Sequence, residues 1–260
     1  MELAVGLEFQ LQDKLEKYTL FLVLAFIAEI VGTVSGFGSS ILFVPIASLY
    51  FDFKTVLGIT AVFHVFSNLS KIVLFKKGVN KNIVIKLGIP AVLFVSLGAW
   101  LTTMLDATRI ELFMNFALIG LSLYLMVNYK TVLQQRNFNL YAGGVVSGFL
   151  AGLVGTGGAI RGVVLSAFQL TKDVFIATSA LIDLGVDSSR AAIYVFNGYF
   201  NSSFIILIPF LIGISIVGSY IGKLILAKTS EHMFRMIALG VILCMSAYQS
   251  IRYFYTLYST

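Results

Sequence analysis

Two sets of four polar residues recur along this chain at the spacing of one helix face. Thr60, His64, Asn68 and Lys71 form the first set, and Ser179, Asp183, Asp187 and Arg190 form the second. Each steps by four, four and three, which aligns its members along one side of a helix. Both lie in otherwise apolar runs, where ionisable groups are costly and face a bundle interior or a water-filled cavity. The chemistry open to them is the handling of ions. Two carboxylates and an imidazole could attract a cation, and an imidazole near its working pH could carry a proton. The plainer reading is structural: Asp187 and Arg190, at i and i+3, neutralise each other, and His64 is a packed, hydrogen-bonded side chain.

Two glycine clusters add a second kind of chemistry. They read Ser35-Gly36-Phe37-Gly38-Ser39-Ser40 and Gly155-Thr156-Gly157-Gly158, and Arg161 follows the second directly. Glycine-rich breaks can aim free backbone N–H groups at an anion, as helix N-termini do. The planar fork of an arginine suits an oxyanion. Gly36, Gly38, Ser39, Ser40, Gly155, Thr156, Gly157, Gly158 and Arg161 are therefore candidate substrate contacts. Snorkelling of Arg161 to an interface is the alternative, and its place in the middle of an apolar run argues against it. Close helix packing through small residues is the alternative for the glycines. The stripes would line the path or couple to protons. Neither cluster is a Walker loop, since GK[ST] is missing. There is no HExxH, no GxSxG and no nucleophile–base set, so no catalytic residues are assigned.

The elements that must hold these residues follow from composition. The 260 residues are 58% hydrophobic and only 12% charged, with a mean hydropathy of +0.95. A soluble domain carries roughly twice that charge, and a disordered chain needs low hydrophobicity. The pattern predicts an all-α integral membrane protein. Long solid runs exclude the ten-residue alternation of a β-barrel. Eight runs are read: 18–50, 55–75, 83–105, 110–127, 140–170, 174–196, 204–227 and 233–255. Residues 1–17 read as an interfacial lead-in, and 129–139 as a polar linker. A single cysteine, Cys244, and two distant histidines, His64 and His232, predict no metal centre and no cofactor. The net charge of +6 fits basic loops of a membrane protein and gives no reason to invoke nucleic acid.

Runs 18–50 and 140–170 each exceed 30 residues, about 45 Å as straight helices, against a hydrocarbon core of roughly 30 Å. Each has its glycine cluster near the middle, so each is predicted to be broken there. Irregular backbone at that depth is tolerated only under protein or beside a cavity.

The chain also resembles itself. At an offset of 119, Gly36 falls on Gly155, Gly38 on Gly157, Pro90 on Pro209, and the two polar stripes superpose one on one. At 120, Gly98 meets Gly218 and Glu111 meets Glu231. This predicts two tandem four-segment repeats, 18–128 and 140–260, with the first segment of each broken. Matched interrupted segments in two halves point to a transporter site between them.

GTVSGFGSSILFVP at Gly32–Pro45 and GFLAGLVGTGGAIRG at Gly148–Gly162 carry a resemblance to the TauE/SafE family of sulfite and organosulfonate exporters. It runs from about Leu20 to Tyr255. The family pattern is roughly GxxxGxxGxGGGxxxxP. The first motif keeps Pro45 but has Ser39 and Ser40 for later glycines; the second keeps its glycines to Gly158 but has Val164 for the proline. The resemblance implies a secondary carrier of small anions in the cell (inner) membrane, multi-pass, with sulfur oxyanions or sulfonates as first substrates. Its partners would be the anion and the lipid bilayer; a homodimer is left open. The alternative is a cation or metal carrier using Asp183, Asp187 and His64.

Orientation depends on the two long runs. If both cross fully, Lys76, Lys77, Lys81, Lys86, Lys130 and Arg136 share a side with the termini, and the positive-inside rule makes that side cytoplasmic. If both fold back as hairpins, the halves are inverted and the termini lie outside. The sequence allows either.

Overall fold

The computed structural model describes residues 2–36, 38–75, 78–128, 136–166, 168, 170–200, 202–228 and 230–258. Lys76, Lys77, Lys130 and most of the expected linker, 129–135, lie outside them. Every described element is helical. The exterior is apolar: Leu93, Leu97 and Trp100 on one helix, and Phe210, Val217 and Tyr220 on another, are exposed. Glu29, Lys71, Arg161, Asp187 and Arg190 are buried. This is the inverse of a water-soluble surface, and it is what lipid as a solvent demands. Among the described residues, five helices are long and apolar enough to cross a membrane: Tyr18–Ser35, Phe53–Leu74, Lys81–Leu101, Asn137–Val154 and Phe204–Lys228.

The first long run is two helices. Helix α1 (Glu2–Ser35) takes in the expected lead-in without interruption. It stops at Gly36, whose φ is +73°, and the chain turns again at Gly38, φ +81°. Only glycine adopts these values without strain. Helix α2 (Ser40–Ala47) then returns alongside α1. The rings of Phe43 and Phe21 are 5.6 Å apart, and those of Phe51 and Tyr18 are 6.3 Å apart. The segment is a hairpin, and the chain emerges where it entered.

The second long run repeats the device. Helix α6 (Asn137–Val154) stops at Gly155, φ +80°, and α7 (Gly158–Ser166) follows. A side chain at Gly157 would strike the Ser147 carbonyl, and one at Gly143 would strike Val164. The returning helix of this hairpin is therefore pressed against its own first helix, and glycine is what permits the approach.

The remaining helices are α3 (Phe53–Leu74), α4 (Lys81–Leu101), α5 (Ala107–Val127), α8 (Lys172–Phe196), α9 (Ile208–Lys228) and α10 (Glu231–Tyr258). Helix α4 contains a π-helical turn at Val84–Gly88, just before Pro90. Proline lacks an N–H and crowds the preceding turn, and the wider π turn accommodates it.

Packing between helices is reciprocal. Helix α1 lies on α9, and α6 on α4; α3 lies on α8, and α5 on α10. Gly218 and Gly222 of α9 face Glu29 and Thr33 of α1, so these two run parallel. Gly144, Gly148 and Gly152 of α6 face Leu87, Ala91 and Val95 of α4, again parallel. In the central pair, Gly58 meets Tyr199 while Asn68 meets Asp187, so α3 and α8 are antiparallel. Small residues let these backbones approach closely, as membrane helices do.

Candidate functional site

Both polar stripes face the interface of α3 with its neighbours, as their spacing requires. Asn68 Nδ2 donates to Asp187 Oδ2 at 2.7 Å. Asp187 also binds Arg190, whose Nε and terminal nitrogen both lie 2.7 Å from Oδ1. A further Arg190 nitrogen donates to the carbonyls of Ala151 at 3.1 Å and Gly155 at 2.6 Å. These are at the C-terminal end of α6, where the last carbonyls have no helical partner and where cations are favoured. Arg190 therefore holds the second break in place, with Asp187 balancing its charge. The structural alternative for this pair describes its contacts well.

The other five stripe residues divide. Lys71 Nζ lies 2.9 Å from Glu29 Oε1 and donates to Ser67 at 2.7 Å. Asp183 pairs with Arg161 and accepts from Ser179 at 3.4 Å. Ser179 Oγ also accepts from Arg161 Nε at 3.1 Å. His64 Nδ1 lies 2.6 Å from the Thr60 carbonyl, and its Nε2 lies 2.9 Å from Ser39 Oγ. Thr60 Oγ1 is buried and has no partner among the described residues.

Arg161 is thus buried, only 2% exposed, and does not snorkel. Nor is its guanidinium a lone charge waiting for an anion, as the sequence expectation had it. Its partner Asp183 comes from another helix, α8, and meets Arg161 only after the α6–α7 hairpin folds. An anion at Arg161 would have to share or replace a carboxylate.

Sequence reasoning passed over Glu29. It is fully buried on α1. Its Oε1 accepts from Ser67 and Ser219, each at 2.7 Å, besides facing Lys71, and its Oε2 accepts from Ser39 at 2.6 Å. The signal was available, because a single acid inside an apolar run is a functional-site hypothesis by default.

The two hairpin tips meet. Ser40 Oγ and Thr156 Oγ1 are 3.3 Å apart. Beside the first tip lies a small cavity of about 20 Å³, lined by Gly36, Gly38, Asn68, Lys71, Ser179 and Asp183 among others. Thr156 and Gly157 instead border a larger, mostly apolar cavity with Ile41, Met114 and Leu150. The structure therefore separates the candidate substrate residues. Gly36 and Gly38 join the stripes at a polar cavity; in the second cluster Thr156 meets Ser40, Gly157 packs on the Ser147 carbonyl, and Gly155 faces Leu57, Val44 and the guanidinium of Arg190.

The groups that a cation reading would use are each engaged internally: Asp183 by Arg161, Asp187 by Arg190 and Asn68, and His64 by Ser39 and Thr60. Among the described residues no three His, Cys, Asp or Glu side chains are grouped to hold a metal ion.

Comparison with known proteins agrees with this architecture of buried charge in an apolar helical shell. Searches of curated proteins and of solved structures return no match. A family model described as sulfite exporter TauE/SafE matches residues 21–249, nearly the whole chain. That span takes in both hairpins, both stripes and the cavity between them, and the protein is accordingly a multi-pass membrane protein belonging to the TauE/SafE family of sulfite-exporting transporters.

Proposed function

We propose that this protein is a secondary carrier of small anions, sulfur oxyanions or organosulfonates, working by alternating access between two inverted halves, residues 18–128 and 140–260. The reciprocal packing supports the duplication. Each half's hairpin lies on the third segment of the other, second segment meets second, and fourth meets fourth. Two hairpins that enter from opposite faces and touch at their tips give a site covered from both sides.

The polar cavity carries the substrate assignment. Lys71 lines it, and Arg161 is bound to two further lining residues, Ser179 and Asp183. Helix α2 starts at the same tip, so the N–H groups of Ser40 and Ile41 lie in a first turn without intrahelical acceptors. The anion enters by competing with Asp183 for Arg161 and with Glu29 for Lys71. Such competition makes occupancy and conformation interdependent, since the buried pairs must rearrange as the anion binds.

By the 119 offset, the counterpart of this cavity would lie beside Gly155 and Gly157, against Asp187 and Arg190. Arg190 reaches the carbonyls of Ala151 and Gly155 there. Lys71, its counterpart, turns to Glu29 instead and borders the small cavity. The carrier has one anion seat, in the first half.

With both long segments as hairpins, Lys81, Lys86, Arg136, Lys172, Lys223 and Lys228 share one side, and Lys54, Arg109 and Arg252 share the other with the termini. The positive-inside rule places the termini outside the cell membrane.

Proteoliposome flux tests the assignment. Arg161→Ala is expected to abolish sulfite and sulfonate flux while the protein stays monodisperse, and Arg161→Ala/Asp183→Asn controls for the stranded carboxylate. Undiminished flux in both variants removes Arg161 from the site. A thermal-shift screen of the wild type against sulfate, thiosulfate, sulfonates, carboxylates and divalent metals checks the substrate class.

A further inference from the structure

The contacts of Ser39 admit a count of hydrogens. The Thr60 carbonyl can only accept, so His64 Nδ1, 2.6 Å away, carries a hydrogen. Ser39 has one hydroxyl hydrogen but two short contacts that each need one, to Glu29 Oε2 at 2.6 Å and to His64 Nε2 at 2.9 Å. If that hydrogen points to Glu29, then Nε2 must supply its own and the ring is an imidazolium. If it points to Nε2, then Glu29 Oε2 must supply one and is a carboxylic acid. Either way the trio holds one proton more than a neutral imidazole with a carboxylate. Without it, two lone pairs would face each other across a buried contact, a costly arrangement.

We propose that Glu29, Ser39 and His64 form a proton relay that carries the coupling ion of this transporter; the inference rests on the anion-carrier reading above. The step balances without any other reactant. His64 Nε2 gives its proton to Ser39 Oγ while the hydroxyl hydrogen of Ser39 passes to Glu29 Oε2. The imidazolium and carboxylate become imidazole and carboxylic acid.

The surroundings fit a reversible site. Glu29 Oε1 is committed to Lys71, Ser67 and Ser219, which leaves Oε2 as the oxygen that can change. The charged groups acting on His64 are Glu29 from α1 and Asp187 and Arg190 from α8, and those acting on Glu29 are His64 and Lys71 from α3. Aromatic rings enclose the imidazole, with Phe43 at 5.7 Å and Phe63 at 4.9 Å between centroids. The relay also touches the hairpin at its tip: Ser39 is the residue from which α2 starts, and Ser40 beside it meets Thr156. Loss of the shared proton breaks one of the two bonds that anchor Ser39. Proton occupancy and tip position are thereby joined.

The sign follows from charge. An anion in the cavity beside this tip favours the protonated trio, and by reciprocity the proton favours the anion. The two travel together, and anion binding takes up protons.

The test uses the whole chain with His232→Gln, so that His64 is the one histidine, labelled with nitrogen-15. The expected spectrum shows Nδ1 protonated throughout and Nε2 titrating. Glu29→Gln is expected to weaken proton binding at His64 by about tenfold or more, a shift of about one pH unit. Ser39→Ala, which leaves both titrating groups, is expected to displace the titration as well. A ring protonated on Nε2 alone, or a titration that ignores both substitutions, overturns the relay. A second measurement separates it from the carrier reading. Sulfate, which does not titrate near neutrality, is added to weakly buffered wild-type protein with a pH dye. Thermal stabilisation with proton uptake supports both. Stabilisation without uptake sinks the relay and spares the carrier. A coupled His64 titration in a protein that neither binds nor transports anions sinks the carrier instead.

Discussion

Asn68 donates to Asp187 across the α3–α8 interface, and these two residues occupy the same position in the two halves of the chain, 119 apart. Under the duplicated architecture proposed above, a residue that bonds to its own counterpart sits close to the axis relating the halves. On that reading Asn68 and Asp187 mark the level about which the two hairpins are disposed. Divergence of one into a donor and the other into a charged acceptor is what makes a bond possible there. Two asparagines could bond, but two aspartates would repel.

That bond has a measurable worth. Asn68→Leu removes one of the partners of a buried carboxylate, and hydrogen bonds to charged groups contribute about 1.5–3 kcal/mol. A lower midpoint in detergent unfolding is expected. In a double-mutant cycle with Asp187→Asn, additive losses would show that the two residues are not coupled.

Arg190→Leu should be more damaging. It strands Asp187 and frees two carbonyls at the end of α6. Breaking a buried pair costs roughly 3–5 kcal/mol. The expected result is a poorly folded protein, and Asp187→Asn in the same chain should recover part of the loss. A stable, active Arg190→Leu protein would contradict the capping role.

Gly148→Val probes the α4–α6 contact. An added Cβ would lie 2.6 Å from the α carbon of Ala91, which is backbone and cannot step aside. The cost should exceed the roughly 1–3 kcal/mol of ordinary overpacking. Loss of the monodisperse peak in size-exclusion chromatography is the expected outcome; Gly240→Ala, where nothing lies near, is the control.

Single cysteines read the topology. In a Cys244→Ser background, Lys81→Cys and Lys54→Cys are treated in intact cells with a membrane-impermeant maleimide. The hairpin arrangement predicts labelling at position 54 and protection at position 81. With the hairpins in place, the reverse pattern would put the termini in the cytoplasm.

The sequence made some of this plain and hid the rest for physical reasons. Gly36, Gly38 and Gly155 marked the breaks because a left-handed φ is the one thing glycine does that other residues avoid. The stripes were legible because an ionisable group in an apolar run has few explanations. The return of α2 onto α1 was not legible. A run of 33 residues (18–50) is long enough for a tilted crossing or a hairpin, and the contacts of Tyr18 with Phe51 and Phe21 with Phe43 decide. Partners across the fold were hidden for the same reason. Nothing local to Arg161 announces Asp183, and nothing local to Glu29 announces Lys71 and three serines. Glu29 itself could have been found, since no neighbour in its run shares its charge.

The unequal arms of Lys71 and Arg190 bear on how much cargo each turnover moves. A duplicated protein with matching halves could load two solutes in tandem. Here Arg190 is committed to Asp187 and to two carbonyls, whereas Lys71 borders the small polar cavity, so under the carrier reading a calorimetric titration should saturate at one equivalent per chain.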